Sequence, residues 1–121
     1  MTAIHDLSDE ELSRWIVDGL EPLTQDKYGD AQPLITALEP QYWVWCDGIW
    51  QPRDMVNDAA MTVMLMERGL GSLDWVSDGT FKMWRGGFER QDHSRIEYIT
   101  AKSLGRAVAE AFALANGWEA K

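Results

Sequence analysis

The nine residues Tyr42-Trp43-Val44-Trp45-Cys46-Asp47-Gly48-Ile49-Trp50 restrict the fold more than any other stretch of the chain. An Asp-Gly pair between apolar residues marks a two-residue hairpin, because both turn positions need positive φ and these two residues tolerate it. With Asp47-Gly48 as the turn, Cys46 faces Ile49 at a hydrogen-bonded position and Trp45 faces Trp50 at the closer non-hydrogen-bonded one. Facing indoles add about 0.5 to 1.5 kcal/mol beyond area burial, enough to hold a hairpin that would otherwise be marginal. Trp43 shares a face with Trp45, while Tyr42, Val44 and Cys46 share the other. Both faces are apolar, so both are expected to be covered, as in a sheet between helices. The cluster therefore reads as core before it reads as a stacking platform. Trp43 becomes a contact residue only if no helix covers its face.

A second Asp-Gly pair, Asp78-Gly79, lies between Trp75-Val76-Ser77 and Thr80-Phe81-Lys82. A two-residue turn there pairs Val76 with Phe81 and Trp75 with Lys82. Gly86-Gly87 permits a bend or bulge, and Arg95 to Thr100 reads as a further strand with Ile96 and Tyr98 on one face.

Three helices complete the pattern. Ser8 caps the first, Glu11 closes a capping box, and Leu7 with Leu12 forms a hydrophobic staple. Leu12, Trp15, Ile16 and Leu20 then share one face, and the helix ends near Gly19. The second helix is expected over residues 54–68, with Asp54 as cap and Gly69 as stop. Its centre, Ala59 to Met66, is apolar nearly all round, which predicts burial on more than one side or a homodimer interface. The methionines 55, 61, 64 and 66 read as gap-fillers in that core. Ser103 caps the third helix, whose stripe is Leu104, Ala107, Val108, Ala111, Phe112 and Ala115, and Asn116-Gly117 stops it. Between the first two helices, residues 21–41 read as an irregular connection broken by Pro22, Pro33, Pro40 and Gly29. Leu34 to Leu38 fit either a helical turn or an extended piece. The expected architecture is one α+β domain over residues 1–121. It has a mainly antiparallel sheet of four to five strands with about three helices packed on it, in a sandwich-like α/β/α arrangement.

The charge is unevenly placed. Of a net charge of -9, residues 1–58 carry all the excess, with twelve Asp and Glu against Arg14, Lys27 and Arg53, while residues 59–121 hold eight of each sign. Nucleic acid and anionic membranes are poor partners for such a chain, since binding phosphates needs clustered Lys and Arg. A protein with a basic surface is the natural partner, and Asp9, Glu10, Glu11, Asp18, Glu21, Asp26 and Asp30 are the candidate contacts. The first three also sit at the positive end of a helix dipole, where they have a structural role. No apolar run reaches the roughly 18 residues of a membrane span. The start Met1 to Leu12 lacks the pattern of a signal peptide, and Cys46 has no disulfide partner, so a cytoplasmic location is expected.

Motifs for chemistry are sparse. The chain lacks a phosphate-binding Gly-rich loop ending in Lys-Ser/Thr, a nucleophile elbow and a paired-His metal motif. No catalytic residue, metal site or cofactor is therefore assigned, and a non-enzymatic role is expected. His5 falls near an N-terminus expected to fray. In Asp92-His93-Ser94, neighbouring side chains point different ways, which makes a triad a poor reading. Trp84-Arg85-Gly86-Gly87-Phe88-Glu89-Arg90 interleaves aromatic and basic residues. A small nucleotide held by Trp84, Arg85 and Arg90 is the alternative to a strand with exposed arginines.

The element order over about residues 8–118 resembles the phage ABA sandwich domain family, small proteins of phages and prophages. The likeness rests on the amphipathic first helix, the Trp- and Tyr-rich hairpin, and the entry Trp50-Gln51-Pro52 into Asp58-Ala59-Ala60-Met61. The ending Ala101-Lys102-Ser103-Leu104-Gly105-Arg106-Ala107-Val108-Ala109-Glu110-Ala111 resembles the family most. Members tend to have Asn-Pro-Ser where this chain has Gln51-Pro52-Arg53. The family carries no defined activity, so the resemblance implies no catalytic residues. It implies phage origin, with a host-directed or anti-defence protein as the expected class. Inhibition of a CRISPR-like defence complex in the host cytoplasm is one such role, and a structural or self-associating phage component, dimerising through the Met-rich helix 54–68, is a further alternative.

Overall fold

The computed structural model describes residues 3–33, 41–77 and 82–120. After a 3-10 turn at Ile4–Asp6, helix α1 runs Asp9–Leu20, followed by strands β1 (Leu23–Gln25) and β2 (Ala31–Pro33). Strands β3 (Trp43–Cys46) and β4 (Ile49–Pro52) precede helix α2 (Ala59–Gly69). Strands β5 (Ser72–Ser77), β6 (Lys82–Glu89) and β7 (Ile96–Ala101) lead into helix α3 (Leu104–Ala115). The chain is α+β, and among the described residues all strand pairing is antiparallel. Among the described residues the strands divide among three small sheets of two, two and three members, where a single sheet of four to five was expected.

The α1 start follows the sequence. Ser8 Oγ accepts the Glu11 N–H at 3.0 Å and Glu11 Oε1 accepts the Ser8 N–H at 3.0 Å, so two otherwise free amides are satisfied. The Ser8 N–H, and after it the Ser8 side chain, also hold the Glu11 carboxyl below its usual range. For α2 the cap is Asp58, whose carboxylate accepts the Ala60 N–H, and not Asp54. Asp54 instead accepts from Val56 and Asn57 N–H groups in the turn before the helix, a local competitor of helix formation.

The expected burial of α2 on more than one side is not seen. Met61, Thr62 and Leu65 face inward, while Ala59, Ala60 and Val63 are exposed. Met55 is fully buried ahead of the helix. The surrounded helix is α3, which lies on β6 and β7 and packs against both α1 and α2. Its run of small residues explains this, since Ala107, Ala109, Ala111, Ala113 and Ala115 are all buried and let neighbours approach closely. Gly86 allows the same approach from the sheet, as a Cβ there would lie 2.6 Å from the Ala107 carbonyl oxygen. Neither Gly86 nor Gly87 forms a bulge; both pair regularly with β5 and β7. Leu104 of the expected stripe is only half-buried.

On the face of the three-stranded sheet away from α3, Ser72, Asp74, Tyr98, Ile96 and Thr100 are exposed, so among the described residues no helix covers that face as a sandwich arrangement would. The register of β5 and β6 also departs from expectation, with Trp75 opposite Trp84 and Val76 opposite Met83. The two-residue slip keeps every side chain on its face and brings the Trp75 and Trp84 rings to 4.7 Å edge to face. Asp78-Gly79 and Phe81 lie outside the described residues, as does Leu34 to Leu38. The connection 21–41 is not irregular throughout, because β1 and β2 form a hairpin within it. No helix among the described residues is long and apolar enough to cross a membrane.

Candidate partner-binding groove

The β3–β4 hairpin forms in the register the sequence specifies. Asp47 and Gly48 take φ of 50° and 83°, Cys46 pairs with Ile49, and Trp45 pairs with Trp50, their rings 5.1 Å apart at 69°. Its base is held in the core. Trp43 is 3% exposed, donates from Nε1 to the Glu21 carbonyl at 2.7 Å, and lies under the Arg14 guanidinium at 5.8 Å. The Glu21 carboxylate accepts the Gln41 and Tyr42 N–H groups at 3.1 Å each. Beyond that anchor the hairpin projects from the body, with Trp45 58% and Ile49 57% exposed and Val44 and Cys46 also exposed. The expectation that both apolar faces are covered thus holds for the base and fails for the tip.

Beside the tip stands the β1–β2 hairpin. Asp26 organises its turn: Oδ1 accepts the Tyr28 N–H at 2.8 Å and the Asp30 N–H at 2.9 Å, and Gly29 takes a φ of 83°. Between the two hairpins runs a groove of about 780 Å³, lined by Leu23, Asp26, Asp30 and Ala31 on one side and Trp45, Ile49 and Trp50 on the other. Apolar and aromatic surface is therefore set against carboxylates, with no Lys or Arg among the described residues that line it. Such a surface has the chemistry to take up a group that is both cationic and apolar along its stem.

The seven acidic candidates do not form one surface. Asp26 and Asp30 line this groove. Asp9 bonds Arg106 and the Asn57 amide, and with Glu10 it borders a smaller hollow of about 320 Å³. Glu11 and Asp18 border a third depression of about 680 Å³ with Arg14, Trp15 and Trp118. Partial desolvation holds the Asp18 carboxyl above its usual range, and Arg14 pulls the other way. Glu21 is a correction: at 9% exposure its carboxylate is committed to backbone amides and cannot reach a partner.

Trp84, Arg85 and Arg90 are not brought together either. Successive strand residues point to opposite faces, so Trp84 meets Trp75 on one side while Arg85 bonds Asp74 at 3.0 Å and covers the Tyr98 ring at 5.1 Å on the other. Arg90 lies past the strand end, bonded to Glu97 at 3.0 Å. The Asp92 carboxylate accepts the Ser94 N–H and is held below its usual range by the Ser94 side chain first and by that N–H second, whereas His93 Nδ1 lies 3.0 Å from Glu89, so Asp92 does not orient the imidazole. Among the described residues no group of three His, Cys, Asp or Glu side chains converges on a point that would hold a metal ion.

Sequence reasoning named Asp26 and Asp30 as contacts but missed the β1–β2 hairpin that carries them. The signal was present in Asp26-Lys27-Tyr28-Gly29-Asp30, an Asp opening a turn with Gly three residues on, but three prolines nearby outweighed it. No protein family model matches the chain, and no curated protein matches it.

Proposed function

We propose that the protein is a non-enzymatic binding protein whose groove between the two hairpins docks the basic surface of a host protein. The observation that carries this reading is the placement of Trp45 and Ile49, each more than half exposed, in one groove with Asp26 and Asp30. Large exposed apolar side chains cost solvation in a free protein, and a rigid aromatic rimmed by charge is the composition of an interface anchor. The -9 charge of the first half supports it, because it would steer a basic partner towards the half that holds the groove. The resemblance to the phage sandwich family supports a host-directed role, blocking a defence complex in the host cytoplasm.

A photo-crosslinking residue in place of Ile49, compared with one in place of Ile96, tests the reading in a bacterial host. The expected result is a discrete basic protein captured at position 49 and lost when Trp45→Ala and Asp30→Lys are added. Capture at position 49 that ignores both changes, or capture only at position 96, would sink it.

A further inference from the structure

We infer that the groove selects arginine over lysine on its partner, a selectivity that rests on the docking reading above and names the side chain the groove takes. The Trp45 and Trp50 indoles meet at 69° with their rings 5.1 Å apart, so they form a fixed corner and not two independent rotors. Their strands are pinned by the Asp47-Gly48 turn and by the buried Trp43, so little side-chain entropy is lost when a ligand stacks there.

Carboxylates complete the corner. Asp26 is held by two N–H groups on Oδ1, and its Oδ2 makes no hydrogen bond among the described residues. Asp30 is exposed along the same wall. Lys27, the turn's own cation, lies 5.0 Å over the Tyr28 ring and does not line the groove.

An aromatic face beside a carboxylate discriminates between the two basic side chains. A guanidinium is planar and weakly hydrated, so it can stack on an indole while its N–H groups reach a carboxylate. An ammonium must give up tightly held water to make either contact. The protein already holds one of its own arginines this way, since Arg85 lies 5.1 Å over Tyr98 and donates to Asp74 at 3.0 Å. The groove offers the same pair of contacts, Trp45 or Trp50 with Asp26 or Asp30, to an arginine from outside.

The test is a titration of the intact chain, isotope-labelled at tryptophan, with the peptide acetyl-Gly-Arg-Gly-Arg-Gly-amide and its lysine and glutamate counterparts at physiological salt. The indole N–H resonances of Trp45 and Trp50 should move with the arginine peptide at several-fold lower concentration than with the lysine peptide. Trp43 should stay still, and the glutamate peptide should do nothing. Asp30→Asn should weaken the arginine response several-fold. Trp45→Leu should erase the difference between arginine and lysine, and Trp45→Phe should retain part of it should the leucine variant fold poorly. Equal responses to arginine and lysine would overturn the selectivity while leaving a basic partner in place. Silence towards both peptides, or movement confined to Trp15 and Trp118, would overturn the arginine site, and the crosslinking result would then decide docking by itself.

Discussion

The Glu110 carboxylate, 3% exposed, accepts a hydrogen bond from Arg106 Nε at 2.9 Å, one helical turn away on α3. The same guanidinium donates to the Leu7 carbonyl at 2.9 Å and the Ile4 carbonyl at 3.2 Å, and His5 Nδ1 lies 2.8 Å from Glu110. One ion pair thus fastens the N-terminal turn to the central helix, which is why the segment holding His5 is not frayed. Removing only the guanidinium strips the buried carboxylate of its permanently charged partner and leaves the His5 imidazole beside it. Arg106→Met is expected to cost about 3 kcal/mol in urea unfolding, and adding Glu110→Leu to recover most of it. A double variant no more stable than the single one would refute that account.

Two glycines predict opposite outcomes for the same substitution. A Cβ on Gly105 would lie 1.6 Å from the Val56 carbonyl oxygen, a backbone atom that cannot swing aside. Gly105→Ala must separate α3 from the segment leading into α2, at a cost of at least about 2 kcal/mol. Nothing lies within 4 Å of a Cβ on Gly19, which sits in the last turn of α1. Gly19→Ala should stabilise by up to about 1 kcal/mol through lower unfolded-chain entropy. Thermal unfolding of the two variants should move in opposite directions.

Trp43 and Trp45 are two residues apart on one strand face, yet their roles diverge. Trp43→Ala empties a buried site and orphans the Glu21 carbonyl, and is expected to cost about 3 to 5 kcal/mol. Trp45→Ala loses the edge-to-face contact with Trp50 from a largely exposed position and should cost about 1 kcal/mol. Chemical denaturation separates them directly. A large loss at Trp45 would mean that the tip is part of the stabilising core and not a free anchor.

The contrast shows how far the sequence reaches. Turn chemistry is local, so Asp47-Gly48 specified register and the Trp45–Trp50 pairing correctly, and capping was readable at Ser8, Glu11 and Ser103. What covers a face depends on contacts distant in sequence, and alternation alone could not show that Trp43 is capped by the α1 end while Trp45 is not. The same limit hid the central helix. Ala-rich α3 reads as carrying a single apolar stripe and the Met-rich centre of α2 as apolar nearly all round, but small residues mark the helix that others surround. Glu110 lies four residues after Arg106, a spacing that suits an ion pair on any helix, and nothing local shows that it is buried. The groove itself needs two separate hairpins, residues 23–33 and 43–52, to meet, and the first of them was read as a connection.

Acid titration should report on Glu97. Hydrogen bonds from Arg95 Nε at 2.7 Å and Arg90 at 3.0 Å, together with their charges, hold its carboxyl below the usual range, Arg95 contributing most, while desolvation opposes them. The native state therefore releases this proton more readily than the unfolded chain does. The resulting stabilisation is complete above the ordinary glutamate range near about pH 4.3 and is lost as pH falls through the lower native value. Arg95 is largely exposed, so solvent screening limits the effect. Glu97→Gln should cost about 0.5 to 1 kcal/mol at neutral pH, and its difference from the native chain should close in acid. A difference that persists unchanged below pH 3 would place the effect in packing and not in charge.

Leu70 ends α2 in the left-handed region, with φ 51° and ψ 45°, and is 90% exposed. Its N–H and that of Gly71 both reach the Met66 carbonyl, Gly71 at 2.9 Å, so the backbone needs this conformation to close the helix. A leucine pays for that geometry with a clash between its Cβ and the following carbonyl, roughly 1 kcal/mol, and its side chain recovers nothing by packing. Glycine removes the clash but adds freedom to the unfolded chain, which offsets part of the gain. Leu70→Gly is therefore expected to stabilise by about 0.5 kcal/mol, and Leu70→Asn by somewhat less. Leu70→Val should lose about as much, because a β-branched residue tolerates positive φ least. Thermal midpoints in the order Gly, Asn, Leu, Val would confirm backbone strain at this cap. A lower midpoint for Leu70→Gly than for the native chain would show instead that the exposed leucine is held by a contact, and would make it a surface to search for a partner.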